Sequence, residues 1–237
     1  MTKVYALSTA RAGSKSVINK NIMELMGKPL YLHNVLASMS CPEIIDTYIT
    51  TDIPKVIELT SVYGYKVIHR PPELCLDSST HDETILHGLM EIEKRIGEEV
   101  DVLVVMLGNT ANVIKEDVEQ ALKILEEDSS ADSVITVIKL NHFNPIRAYV
   151  KNSEKDYLTT YLDQDLIREK TERVDLSDKN SVGNIYFQNG LWFLRRKTII
   201  DNDGILPFKW LGKRIRYIIQ DPGLQEIDDN YQIKLFQ

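Results

Sequence analysis

Two side chains that stay cationic at neutral pH, Arg11 and Lys15, stand close together in a run of small residues, Ser8 to Ser16, with Lys20 and Asn21 shortly after. Small residues let backbone N–H groups approach an anion, and the cations neutralise it; a triphosphate needs both. A solvated basic loop has the same composition, and the loop by itself does not separate the two. No glycine directly precedes Lys15, so this is not a Walker loop, and Gly13 alone does not make a dinucleotide fingerprint. A second cluster, His69-Arg70-Pro71-Pro72-Glu73-Leu74 with Asp77 after it, sets an arginine beside a stiff double proline. It reads either as a fixed loop next to the first or as a surface turn. The third is Glu226-Ile227-Asp228-Asp229-Asn230. Its side-chain oxygens suit Mg²⁺, a hard cation that takes one or two protein carboxylates; an acidic helix N-terminus has the same pattern. His33, His69, His81, His87 and His142 show no zinc-type spacing, and no Ser/His/Asp arrangement can be drawn.

These clusters follow segments able to hold them in place. Lys3 to Ser8 reads as a buried strand that runs into the first loop. Leu32, Val35, Leu36 and Met39 recur at helical spacing in a helix from Pro29 to Met39. Asp46 to Thr51 reads as a strand, Pro54 to Tyr63 as a helix and Lys66 to His69 as a strand. Ile85, Leu89, Ile92 and Ile96 form a helical stripe, with Asp77 and Ser78 as candidate caps. Val100 to Leu107 is the most hydrophobic strand and so is expected at the centre of a sheet. A helix over Glu116 to Glu126 and a strand over Ser133 to Ile138 follow. This alternation predicts an α/β fold with a doubly wound, mostly parallel sheet, whose ligand sits where loops leave the carboxyl ends of the strands. Residues 141–183 are polar and weakly periodic. They read as a lobe inserted into one domain covering 1–237, with strands at Ile185 to Leu194 and Arg214 to Ile219 and a last helix from about Asp229.

The formal net charge of -7 argues against a nucleic-acid partner. Two cysteines, Cys41 and Cys75, cannot build a disulfide framework, and a reducing compartment is the default. No apolar run reaches the roughly 18 residues that span a bilayer. The N-terminus shows no signal-peptide layout, so a cytoplasmic, membrane-free protein is expected.

In order, these pieces resemble the acylneuraminate cytidylyltransferases, the CMP-sialic acid and CMP-KDO synthetases, over most of the chain. Ala10-Arg11, Ser14-Lys15 and Lys20-Asn21 are similar to that family's Ala-Arg-x-x-Ser-Lys…Lys-Asn signature. Thr50-Thr51-Asp52 stands at its Ser-Thr-Asp, and Arg70-Pro71-Pro72-Glu73-Leu74 at its Arg-Pro-x-Glu-Leu. Ala131-Asp132-Ser133-Val134 and Asn189-Gly190 also fit. The resemblance implies transfer of CMP from CTP to an acidic sugar, nonulosonic or a related 2-keto acid, with release of pyrophosphate and a place in lipopolysaccharide or capsule biosynthesis. It implies that Arg11 and Lys15, with Ser14, grip the triphosphate. The backbone around Leu7 and Ala10, with Asn21, Arg70 and Thr80, then frames the cytidine. Asn109, Thr110, Gln188 and Asn189 face the acceptor, and Arg147 meets its carboxylate. Asp228 and Asn230 hold Mg²⁺, with Asp228 the catalytic ligand. The resemblance also implies a homodimer with the 141–183 lobe crossing to the partner.

The chain departs from that pattern in its second half. The family's Leu-Gln-Pro-Thr-Ser-Pro-Leu-Arg is here Leu107-Gly108-Asn109-Thr110-Ala111-Asn112-Val113-Ile114, without the glutamine or the closing arginine. Asn230 replaces the second carboxylate of Asp-x-Asp, with Asp229 as its rival ligand. His81 stands at a common serine, with Thr80 beside it as the substitute, and Phe187-Gln188 occupy the place of an arginine. The alternatives are a catalytically weak nucleotide-binding regulatory protein, or a transferase using another NTP or a non-sialic acceptor.

Overall fold

The computed structural model describes residues 2–13, 19–152, 156–222 and 226–227. The strands are β1 (Val4–Thr9), β2 (Glu24–Leu25), β3 (Lys28–Pro29), β4 (Asp46–Thr51), β5 (Lys66–His69), β6 (Val102–Leu107), β7 (Ser133–Lys139), β8 (Tyr149–Lys151), β9 (Leu158–Thr160), β10 (Tyr186–Arg195) and β11 (Ile215–Gln220). The helices are α1 (Leu30–Met39), α2 (Pro54–Glu58), α3 (Thr60–Tyr63), α4 (His81–Ile96), α5 (Lys115–Glu127), α6 (Gln164–Thr171) and α7 (Arg196–Asp201). The main sheet has the order β11-β7-β10-β6-β1-β4-β5. All its pairings are parallel except those of β10, which runs antiparallel to both β6 and β7. The fold is therefore the α/β, mostly parallel sheet that the alternation predicts, and the apolar β6 lies at its centre.

Alternation along the strands divides the core. Val4 and Ala6 of β1 join Val102, Val104 and Met106 under α5, while Tyr5 and Leu7 join Leu103, Val105, Ile85 and Leu89 on the α4 side. The stripe Ile85, Leu89, Ile92 is fully buried. Gly88 lets α4 lie directly on β1, since a Cβ there would stand 2.3 Å from Leu7 Cδ2. The cap of α4 is Thr80, paired reciprocally with Glu83, rather than Asp77 or Ser78. Pro29 likewise precedes its helix and pairs with Glu24 in a small hairpin. The single helix expected over 54–63 is broken into α2 and α3. There the Thr60 and Ser61 hydroxyls bond the Ile57 and Glu58 carbonyls and compete with helical bonding.

Between β7 and β10 the chain makes a long excursion with two 3₁₀ turns, the β8–β9 hairpin and α6. Tyr149, Tyr157, Leu158 and Tyr161 of this excursion are exposed. Among the described residues no helix is long and apolar enough to cross a membrane. The helix expected from about Asp229 lies outside the described residues.

Candidate active site

The loops leaving β1, β4, β5 and β6 meet at the carboxyl edge of the sheet. Ala10 is buried, and its N–H donates to Thr50 O across the β1–β4 pair (3.2 Å). The next N–H, that of Ala12, donates to Asp52 Oδ1 at 2.7 Å, and Asn21 Nδ2 returns to Arg11 O at 2.9 Å. The β1 loop is thus tied down on both sides of Arg11. The Arg11 guanidinium crosses to the double-proline loop, where Nη1 donates to Cys75 O (2.7 Å) and Nη2 to Asp77 Oδ1 (3.0 Å). The first two sequence clusters are therefore in direct contact. Ser14 and Lys15 lie outside the described residues.

Arg70 is only 8% exposed, and its Nη2 donates to Thr50 O at 3.1 Å. Its Nε is buried without a partner, and no described carboxylate lies within ion-pair distance of it. Burial pulls its pKa below the ordinary arginine value. The Asp52 carboxylate offsets this only in part, so a buried cation here gains from an anion that binds beside it. The nearby Thr50 Oγ1 is also buried without a partner.

His81 opens α4 beside these groups. Its Nε2 shares a hydrogen bond with Thr9 Oγ1 (3.2 Å), and its ring meets Trp192 and Trp210 edge-on. Burial, with Arg70 nearby, lowers its pKa to about 4, so it is neutral at physiological pH. Thr80, expected to touch the nucleotide, is occupied as the α4 cap; the side chain that enters the site is His81. Leu7, expected to serve through its backbone, lies inside the ladder between β4 and β6 with its side chain under Gly88, and it carries Thr9 and Ala10.

The other half of the edge is built from neutral amides. Asn34 of α1 donates to Thr110 Oγ1 (2.7 Å) and Asn112 Oδ1 (3.2 Å), and its own Oδ1 accepts from the Asn112 and Val113 N–H groups. Asn112 Nδ2 reaches Asn189 O and Gln220 Oε1, and Asn189 Nδ2 also donates to Gln220 Oε1 (2.8 Å). Thr110 and Asn189, expected to face the acceptor, are buried in this network. Asn109 holds the C-terminal segment, accepting from Ile227 N–H at 2.9 Å. Gly190, at φ +70°, turns the β10 bulge back against β6; a Cβ there would lie 2.8 Å from Leu107 Cδ1 and 3.2 Å from Glu226 Oε1. Gly108 fills the seam, where a Cβ would stand 3.0 Å from both Ala10 Cβ and Thr9 O. A larger residue at 108 would press on the β1 loop by a few tenths of an ångström.

Beside the bulge, an apolar cavity of about 540 Å³ is lined by Ile135, Tyr186, Gln188, Leu206, Phe208 and Ile215, among others. Gln188 Oε1 is buried there without a partner. Arg147 stands in the excursion, donating to Asp178 O at 3.1 Å, and no described contact ties it to the other site residues. Asp228 and Asn230, like Asp229, lie outside the described residues. Among the described residues no group of three or more His, Cys, Asp or Glu could hold a metal ion.

Asp52, Asn34, Gln220 and the His81–tryptophan cluster were not among the expected site residues. Asn34 had a readable signal, an amide next to the apolar stripe of its helix; Gln220, at a strand end, had none.

A cytidylyltransferase family model matches residues 6–200. The N-acylneuraminate cytidylyltransferase of Escherichia coli O18:K1:H7 is 34% identical over 88 residues, 37% of this chain and 21% of that protein. The enzyme of that name from Oncorhynchus mykiss is 28% identical over 140 residues, 59% of this chain and 31% of its own length. The CMP-N,N'-diacetyllegionaminic acid synthase of Legionella pneumophila is 31% identical over 96 residues, 39% and 40% of the two chains. The match thus covers well under two thirds of these relatives. Among solved structures, a CMP:2-keto-3-deoxy-manno-octonic acid synthetase complexed with CTP superposes with a TM-score of 0.66 at 15% identity, over 99% of this chain and 96% of that one. The 4-diphosphocytidyl-2C-methyl-D-erythritol synthase of Anaerococcus prevotii gives 0.63 at 13% identity, over 99% and 94%. At these identities the likeness is one of fold.

Proposed function

The chain belongs to the cytidylyltransferase family, and on that premise we propose that it transfers CMP from CTP to an acidic 2-keto sugar. The anomeric hydroxyl oxygen attacks the α-phosphorus of CTP, the bond to the β-phosphate oxygen breaks, and pyrophosphate leaves as the hydroxyl proton is lost. One observation supports this reading most: Arg70, a buried guanidinium that forms no ion pair among the described residues, stands beside the Arg11 loop at the carboxyl edge. Such a pair neutralises charge and orients the nucleotide, and in phosphoryl transfer the protein does little else. The neutral His81 adds a hydrogen-bonding ring to the same half without adding charge. The acceptor lies on the side of Asn109, Gln188 and the β10 bulge, where the apolar cavity takes the less polar part of the sugar.

Mg²⁺ fits this reading through Asp228 and Asn230. The residues leading to them, Glu226 and Ile227, lie at the carboxyl edge beside Gly190 and Asn109, and hard oxygen donors suit the ion. Bound there, Mg²⁺ supplies charge neutralisation to the triphosphate. The exposed aromatics of the 141–183 excursion favour a homodimer, with Arg147 meeting the sugar carboxylate in its own or its partner's site. A cytoplasmic place and no nucleic-acid partner complete the reading. The test is pyrophosphate release with each of the four NTPs and a panel of 2-keto sugar acids. CTP alone, with at least one nonulosonic acid, should turn over. Nucleotide binding with no release would leave a weak nucleotide-binding protein instead.

A further inference from the structure

Gln220 closes β11 at the carboxyl edge, 5% exposed, and every hydrogen-bonding position of its amide is used. Oε1 accepts from Asn189 Nδ2 (2.8 Å) and Asn112 Nδ2 (3.3 Å), and Nε2 donates to Asn112 O (2.8 Å) and Asp117 Oδ2 (2.7 Å). Asn112 is in turn gripped from the opposite side by Asn34. Shortly after Gln220 the chain comes back to the same loop, where buried Ile227 donates to Asn109 O. The C-terminal segment is therefore pinned at two points, and both pins are on the loop 109–112.

We propose that Gln220 is a positioning residue for group transfer: with Asn112 and Asp117 it clamps the loop that seats Ile227, the residue directly before Asp228. Buried amides that satisfy one another hold a single arrangement, and losing one leaves the others unsatisfied and the loop free to shift. A misplacement of about 1 Å costs on the order of 10² in rate. The clamp side chains make no described hydrogen bond to the Arg11 or Arg70 loops, so CTP binding without Mg²⁺ is independent of it. Its effect on turnover rests on the CMP-transfer reading; its effect on Ile227 does not.

The test uses the full chain with Gln220→Met, which keeps the bulk and removes the hydrogen bonds, and the milder Asp117→Ala on the helix rim. Amide hydrogen exchange at Ile227, CTP affinity, and kcat and KM for CMP transfer are measured. Gln220→Met should speed exchange at Ile227 at least tenfold while β1 and β4 amides stay protected. The CTP dissociation constant measured without Mg²⁺ should stay within twofold and kcat should fall between about tenfold and 10². Asp117→Ala should move both readouts the same way by less, and it decides the matter if Gln220→Met does not fold. Unchanged protection at Ile227, or freed Ile227 with unchanged kcat, overturns the clamp. A wild-type chain that transfers no CMP overturns the reaction alone, because the exchange readout needs no turnover.

Discussion

The two halves of the carboxyl edge hold themselves together by opposite means. On the β1–β4–β5 side, cations are bonded to backbone carbonyls, Arg11 to Cys75 O and Arg70 to Thr50 O, so charge is kept ready for a ligand. On the β6–β10–β11 side, Asn34, Asn112, Asn189 and Gln220 are bonded to one another, and shape is kept instead. The buried Arg70 cation is desolvated and stands to gain from an anion; the amide half serves to hold a loop in register. On the proposed function, nucleotide recognition would reside in the charged half and the acceptor would lie against a rigid frame with a cavity beside it.

The sharpest way to break this contrast is to remove charge from the first half. Arg70→Met should lower kcat/KM for CTP by roughly 10²–10³, the loss expected for one transition-state donor. Without nucleotide its Tm should hold or rise, because an unpaired buried cation is gone. A large fall in Tm with CTP affinity intact would make Arg70 a structural residue and erase the distinction. Arg11→Ala should match it in kcat/KM; Asp77 then loses its ion pair, which is partly exposed and contributes little to stability. Lys15→Ala is expected to fall in the same range.

A smaller effect belongs to the acceptor half. Arg147→Ala removes a charge-assisted contact of roughly 1.5–3 kcal/mol, which should raise KM for the sugar by about ten- to a hundredfold and leave KM for CTP nearly unchanged. Equal rises in both would place Arg147 in the fold rather than at the acceptor.

The smallest effect lies at the seam. His81 keeps a folded pKa of about 4 against an ordinary value of 6.5, so between these values the unfolded chain binds the proton and the folded chain does not. Its contribution to stability is complete above pH 6.5 and shrinks as pH falls toward 4, by about 1 kcal/mol at pH 5.5 relative to pH 7. Denaturant titrations at the two pH values should show this loss in the wild type and a flatter profile in His81→Gln. Equal slopes would mean that another group dominates.

The cationic half was legible in the sequence because its parts are local. Arg11 lies two residues beyond β1 and Arg70 one beyond β5, and strand ends can be read from apolar runs. The amide half was not. Asn34 and Gln220 meet Asn112 across 78 and 108 residues, and only the fold brings them together. Thr110 and Asn189 were read as facing the acceptor without a sign of the amide network that holds them. Thr80 was read as a nucleotide contact because the sequence does not show that a helix start takes its hydroxyl. The break between α2 and α3 turned on side-chain bonds that compete with a helical pattern, which apolar spacing cannot register.

The central claim, that the charged half exists to present CTP to an acidic sugar, meets its most direct test in ³¹P NMR of the chain incubated with CTP, Mg²⁺ and a nonulosonic acid. The expected spectrum gains a phosphodiester resonance and pyrophosphate in equal amounts, and Arg70→Met gains neither on the same timescale. CTP left intact by the wild type, or split to CDP and phosphate with no phosphodiester, would contradict it.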